Sequence, residues 1–181
     1  FSQFGEDGLI AAVFERIGER NRWCFEVGAH DGRWLSNTLR LRQAGWSAVL
    51  IEADEEQFAK LKSHARENVF PVHDRIGPDS LDRVLAAHGA PADLDLGVID
   101  IDGQDYWAWQ GMTAFRPRVM LVEYSPYGTV EDFPGLGEEG QAGINPILRL
   151  GAEKEYIPLA VTICNVLFVR ADAFTTGERS E

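Results

Sequence analysis

The chain is poor in cysteine, in positive charge and in long apolar runs, and each shortage removes a class of protein. Only two cysteines, Cys24 and Cys164, occur in 181 residues. Both lie in apolar, strand-like runs. They read as buried free thiols of a reducing, cytoplasmic compartment, not as a disulfide framework. The four histidines and two cysteines lack the spacing of a zinc site, and no metal is predicted. Lys and Arg number 17 against 29 Asp and Glu, a formal net charge of -12. That balance opposes a nucleic-acid partner, which needs clustered basic residues, and equally an anionic membrane surface. It names no substrate, since acidity mostly favours solubility. No apolar run reaches the length of a membrane-spanning helix, and no basic-then-apolar leader opens the chain. The first residue is Phe1, not Met, which points to a trimmed chain or a piece of something larger.

What is present is an alternation of strand-like and helix-like patterns along nearly the whole length. Hydrophobic content of 45% and charged content of 25% are ordinary for a globular protein, and the length predicts one domain over 1–181. Leu9, Ile10, Val13, Phe14 and Ile17 recur at helical spacing within 6–19. Strands are expected at 23–27, 48–52, 69–76, 94–101 and 119–124. Between them fall helices at 36–44 (with Ser36 as cap), 54–67 (capped by Asp54), one opening at 78–80, and 104–114. The Gly- and Pro-rich stretch 125–143 reads as a long loop on the substrate side. A last helix at 145–154 precedes two closing strands, 156–163 and 166–169. These lie too close in sequence for a helical crossover and predict an antiparallel hairpin at one edge. The fold class is therefore α/β: a Rossmann-like, seven-stranded, mostly parallel sheet with a C-terminal antiparallel hairpin and helices on both faces.

In such sheets ligands sit beyond the carboxyl ends of the strands, where strand order reverses. Trp23-Cys24-Phe25-Glu26-Val27-Gly28-Ala29-His30-Asp31-Gly32 is a strand that ends on an acid and turns through two glycines. The next strand ends in Glu52. A dinucleotide site would show G-x-G-x-x-G aimed at pyrophosphate. Here the glycines are four apart and acids flank them, which would repel a pyrophosphate. The pattern suits a ligand with ribose hydroxyls and a cationic amino-acid end, which describes S-adenosylmethionine. Glu52 is assigned to the ribose hydroxyls and Glu26 to the glycine-loop amides or the ligand's amino group. Gly28 and Gly32 are placed against the methionine portion, and His73 and Asp74 near the adenine.

The second motif is Asp100-Ile101-Asp102-Gly103-Gln104-Asp105-Tyr106-Trp107. Strand alternation is expected to put Asp100 and Asp102 on one side, with Asp100 against the cofactor and Asp102 next to the transferred methyl group. Asp102 would act as general base toward an acceptor hydroxyl, as a helix cap, or as a ligand to a divalent cation; His30 is the other candidate base. Trp34, Tyr106, Trp107, Trp109, Tyr124 and Tyr127 would wall an acceptor pocket, with at least one of Trp107 and Trp109 in the core. Two other classes stay open: a non-catalytic binding module of the same fold, and a nicotinamide-dependent oxidoreductase, which would need the phosphate-cradling loop this chain lacks.

Taken in order, several stretches resemble the FkbM-like methyltransferase family. They are Ser2-Gln3-Phe4-Gly5-Glu6-Asp7, Glu26-Val27-Gly28-Ala29-His30-Asp31-Gly32, Ile51-Glu52-Ala53-Asp54, Ile99-Asp100-Ile101-Asp102-Gly103-Gln104-Asp105-Tyr106, Val122-Glu123-Tyr124 and Asn165-Val166-Leu167-Phe168-Val169-Arg170. The resemblance spans almost the entire chain. It implies a class I fold, S-adenosylmethionine as methyl donor, and a small-molecule or glycan acceptor methylated on a hydroxyl. It also implies that the first twenty residues form a lid and helix over the cofactor. Many relatives read Asp-Val-Glu-Gly where this chain reads Asp-Ile-Asp-Gly, which bears on the acceptor class.

Overall fold

The structure, a computed structural model, describes residues 2–176. The expected ends of the domain, Phe1 and 177–181, lie outside the described residues. In chain order the elements are α1 (Glu6–Ile17), β1 (Trp23–Val27), α2 (Leu39–Gln43), β2 (Ser47–Glu52), α3 (Glu55–His64), β3 (Val69–His73), α4 (Leu81–Ala87), β4 (Leu96–Ile99), α5 (Asp105–Gly111), β5 (Val119–Glu123), α6 (Ile144–Glu153), β6 (Tyr156–Val161), β7 (Asn165–Arg170) and α7 (Ala171–Thr176). Seven strands form one sheet in the order β3-β2-β1-β4-β5-β7-β6. The first five are mutually parallel, while β7 runs antiparallel to both β5 and β6. The closing hairpin is present at one edge as expected, with its second strand inserted beside β5.

Alternation along each strand divides the core into two layers. Phe25, Val27, Val49, Ile51, Ile99, Met120 and Val122 face one side, where α4, α5 and α6 supply Leu81, Leu85, Trp109, Ile147 and Leu150. Cys24, Ala48, Leu50, Val98, Leu121 and Leu167 face the other, covered by Ile10 and Phe14 of α1, Leu61 of α3 and Ala173 of α7. Helices thus cover both faces. Both cysteines are buried and free. Pro71 and Pro158 sit on β3 and β6, the two edge strands, where a missing amide donor is tolerated.

Asp54 caps α3 as expected, its carboxylate accepting the Gln57 amide at 2.9 Å. Several local expectations change. Helix α2 starts at Leu39 after Thr38, because the Ser36 hydroxyl donates to Glu26 instead of capping. Strand β3 ends at His73, and β4 is only Leu96–Ile99, with Asp100 already outside it. Helix α7 lay outside the sequence expectation.

The end of the sheet opposite the strand tips is pinned by Asp95. Its carboxylate accepts the backbone amides of Arg20, Asn21 and Arg22 and pairs with Arg118 at 2.8 Å, both side chains being buried. This cluster ties the α1–β1 turn to the starts of β4 and β5. Among the described residues no helix is long and apolar enough to cross a membrane.

Candidate active site

The carboxyl tips of β1, β2, β4 and β5 open into a cleft of about 850 Å³. Parallel strands end together on one side of the sheet, so tips distant in sequence meet there. Glu26, Gly28, His30, Glu52, Asp74, Asp100 and Asp102 all line it. Gly32 does not; it borders a separate, smaller hollow beside Arg42 and Arg66.

On the β1–β2 side, the carboxylates organise backbone. Glu52 accepts the His30 amide at 2.7 Å and the Asp54 amide at 2.7 Å, so it fixes the turn after β1 as well as facing the cleft. Glu26 is buried and does not bond the glycine-loop amides. It accepts instead from the Ser36 hydroxyl at 2.7 Å, the Asn37 amide at 2.8 Å and the Thr38 hydroxyl at 2.6 Å. The glycines have packing reasons. A Cβ on Gly28 (φ 80°) would lie 1.7 Å from the Asp100 carbonyl oxygen, so the absent side chain lets the tips of β1 and β4 touch. A Cβ on Gly32 (φ 75°) would meet Leu61 at 2.6 Å. His30 adopts φ 49°, and its Nδ1 lies 3.6 Å from Asp31, too far for a hydrogen bond. Asp74 lines the cleft with Arg75, whereas His73 turns away to stack on Phe58 at 4.8 Å.

The β4–β5 side holds four acids. Asp105 is fully buried and accepts the Ile101 amide at 2.9 Å and the Gly103 amide at 3.0 Å. Burial raises its carboxyl to about 6 against the pull of those amides. Asp105, not Asp102, therefore organises the entry to α5. Strand alternation does not bring Asp100 and Asp102 together, since both lie beyond β4. The turn does so, with Asp102 in the left-handed region at φ 53° and its amide donating to Glu123 at 3.1 Å. Asp100 and Glu123 both line the cleft and influence each other's titration. Burial first, then the charge of Asp105 on Asp100 and of Asp100 and Asp105 on Glu123, pushes both carboxyls above the usual carboxylate range, so the two keep a proton at neutral pH. Gln141 donates to Glu123 at 2.6 Å. The Asp102 carboxylate accepts no hydrogen bond from the described residues and is free for a ligand.

The loop between β5 and α6 is fastened over this side. Gln104 bonds the Glu138 carbonyl and the Gly137 amide, and Trp107 donates to the Pro134 carbonyl at 3.2 Å. Phe133 packs on Tyr106 and Trp107 at centroid distances of 4.7 and 5.5 Å. Trp109 belongs wholly to the core, Trp34 is exposed at the cleft, and Tyr127 stands in solvent. Among the described residues no three His, Cys, Asp or Glu side chains are spaced to hold a metal ion.

Cleft residues outside the sequence assignment include Glu6, Asn37 and Asn165. Glu6, buried at the start of α1, accepts from Thr162 at 2.8 Å. Asn37 and Asn165, 4% and 2% exposed, each line the cleft with a side-chain oxygen that has no partner. Asn37 follows Ser36 in a polar run, and Asn165 opens an otherwise apolar strand; only the latter carried a signal, as a polar residue at a strand tip.

No family model matches the chain, and no curated protein matches it in sequence. Solved structures do match in shape. Magnesium protoporphyrin IX methyltransferase from Synechocystis PCC 6803, crystallised with S-adenosylhomocysteine, superposes with a TM-score of 0.59 at 13% identity, covering 91% of this chain and 81% of that one. This is the class I methyltransferase fold. An S-adenosylmethionine-dependent methyltransferase from Clostridium acetobutylicum gives 0.58 at 8% identity, covering 92% of each chain. Geranyl diphosphate C-methyltransferase from Streptomyces coelicolor gives 0.55 at 12% identity, covering 91% and 80%. Identities this low speak for the fold alone, and the neighbours differ in the molecules they methylate.

Proposed function

We propose that the chain is an S-adenosylmethionine-dependent methyltransferase of FkbM-like type that methylates a hydroxyl on a small molecule or glycan. The observation that carries this reading is the shared cleft. Glu26, Gly28 and Glu52 stand on adjoining parallel tips, and Asn37 offers a buried oxygen with no partner beside them. The residues present fit the donor. Glu52 would take the ribose hydroxyls, its carboxylate already aimed by two amides. Asp74 and Ile76 would flank the adenine. Glu26, Asn37 and Asp100 would surround the methionine ammonium. A volume of about 850 Å³ leaves room for an acceptor as well.

S-adenosylmethionine supplies an electrophilic methyl group that leaves a neutral thioether when it passes to an oxygen nucleophile. The chain's part is to hold the acceptor in line and receive its proton. Asp102 is the base of choice, since its carboxylate is unengaged and sits beside a pair that already holds a proton. His30 lines the cleft on the β1–β2 side and would stand beside the donor. Titration calorimetry with S-adenosylhomocysteine tests the reading. Binding is expected, and Glu52→Ala should weaken it by roughly tenfold or more, as for loss of hydrogen bonds to a charged group. Unchanged affinity would remove Glu52 from the site. Donor binding without turnover on any acceptor would favour the binding module.

A further inference from the structure

We propose that the acceptor is an amine-bearing polyol whose protonated nitrogen is anchored among Glu6, Asp102, Glu123 and Asn165, with the hydroxyl to be methylated beside it. The inference rests on the methyltransferase reading and names its substrate class.

These four residues form one connected wall. Asn165 pairs with Glu123 across β7 and β5. Glu123 accepts the Asp102 amide. Thr162 joins Asn165 to Glu6, donating its hydroxyl to the Glu6 carboxylate and accepting the Asn165 amide at 3.2 Å. Everything this wall presents is an acceptor or an acid. Asn165 is 2% exposed, its Nδ2 is engaged by the Cys164 sulfur at 3.4 Å, and its Oδ1 has no partner. A buried acceptor without a donor is costly, and it calls for a ligand N–H or O–H. The loop above adds Glu138 and Glu139 to the lining.

The whole cleft is lined by eleven Asp and Glu residues against a single arginine, Arg75. Arg75 follows β3, four strands from β5, or about 19 Å at the usual strand spacing. A donor at β1–β3 would use Glu26, Glu52 and Asp74 and leave the β4–β5–β7 acids uncompensated. A phosphate or carboxylate on the acceptor would meet the carboxylates of Glu6 and Asp102 there, with no basic side chain from the cleft lining beside them. A neutral polyol would satisfy Asn165 and leave Glu6 and Asp102 without a cationic partner. An ammonium group satisfies both. Its positive charge stays on nitrogen throughout; the donor's sulfur–methyl bond would break with its electron pair left on sulfur, the methyl carbon would bond the hydroxyl oxygen, and the hydroxyl proton would go to Asp102.

The test uses three compounds of one shape: glucamine, sorbitol and sorbitol 6-phosphate, which carry a cation, no charge and an anion. Each is titrated by calorimetry into protein saturated with S-adenosylhomocysteine and into the free protein. Glucamine is expected to bind at least roughly tenfold more tightly than sorbitol, and the phosphate most weakly. Glu6→Gln should cut the glucamine preference several-fold and leave S-adenosylhomocysteine affinity unchanged. Sorbitol or its phosphate binding as well as glucamine, or no glucamine binding, overturns the proposal. If S-adenosylhomocysteine itself fails to bind, the donor reading falls separately, and the free-protein titrations still decide the charge preference.

Discussion

Asp102 and Glu123 are neighbours with opposite roles, and burial separates them. Asp102 has an exposed carboxylate that accepts nothing from the described residues, whereas Glu123 is buried, takes the Asp102 amide and lies under the charge of Asp100. Asp102→Asn is therefore expected to lower kcat by roughly 10²–10⁴-fold with donor affinity unchanged, measured by methyl transfer beside calorimetry. Glu123 predicts a pH effect on stability. Its folded carboxyl, raised mainly by burial and then by Asp100, titrates at about 9. In the unfolded chain it titrates near the ordinary value of about 4.3. Between those values the folded state binds more protons, so stability is greatest below the unfolded value and is lost as pH rises toward 9. Thermal unfolding should show Tm falling from pH 5 to pH 9. Glu123→Gln, neutral throughout, should flatten that slope and match or exceed the wild type at pH 8.

Elements are held in place by contacts at both ends of the sheet, and the two ends do different work. At the tips, carboxylates hold turns open around a cleft. At the far end, Asp95 gathers three amides of the α1–β1 turn and Arg118 in a buried cluster. Removing one partner of such a pair strands the other charge without solvent, at a cost of about 3–5 kcal/mol. Asp95→Ala is expected to lose that much in urea unfolding, whereas a change at the exposed Arg149–Glu131 pair should lose under about 1 kcal/mol. The strand and helix succession was legible because periodicity is local: the bounds of β1 and the Asp54 cap were read directly. The short β4 was not, because the apolar Ile101 continues its pattern while the Asp105 carboxylate captures the Ile101 amide and ends the strand.

Over the whole molecule, net charge of -12 works against compaction, and the crowding of acids at one face concentrates that repulsion. Screening should relieve it. Raising sodium chloride from 20 to 200 mM is expected to stabilise the ligand-free protein by about 1 kcal/mol, or roughly 2–4 °C in Tm by calorimetry. A flat or falling Tm would mean that the acids are already compensated within the fold.

By itself the sequence determined the alternation of strands and helices, the antiparallel ending and which strand tips carry acids, because each is written in the spacing of neighbouring residues. The tertiary structure decided how those acids are used. It inserted β7 beside β5, so that Asn165 faces Glu123, and it brought Glu6 to Thr162 across most of the chain. It turned Gly32 away from the cleft and made Gly28 a contact between strands. It gave Glu26 to the Ser36–Thr38 run. Periodicity reports the face a residue takes within its own element; which remote partner fills that face depends on sheet order, and sheet order is settled only when the layers pack.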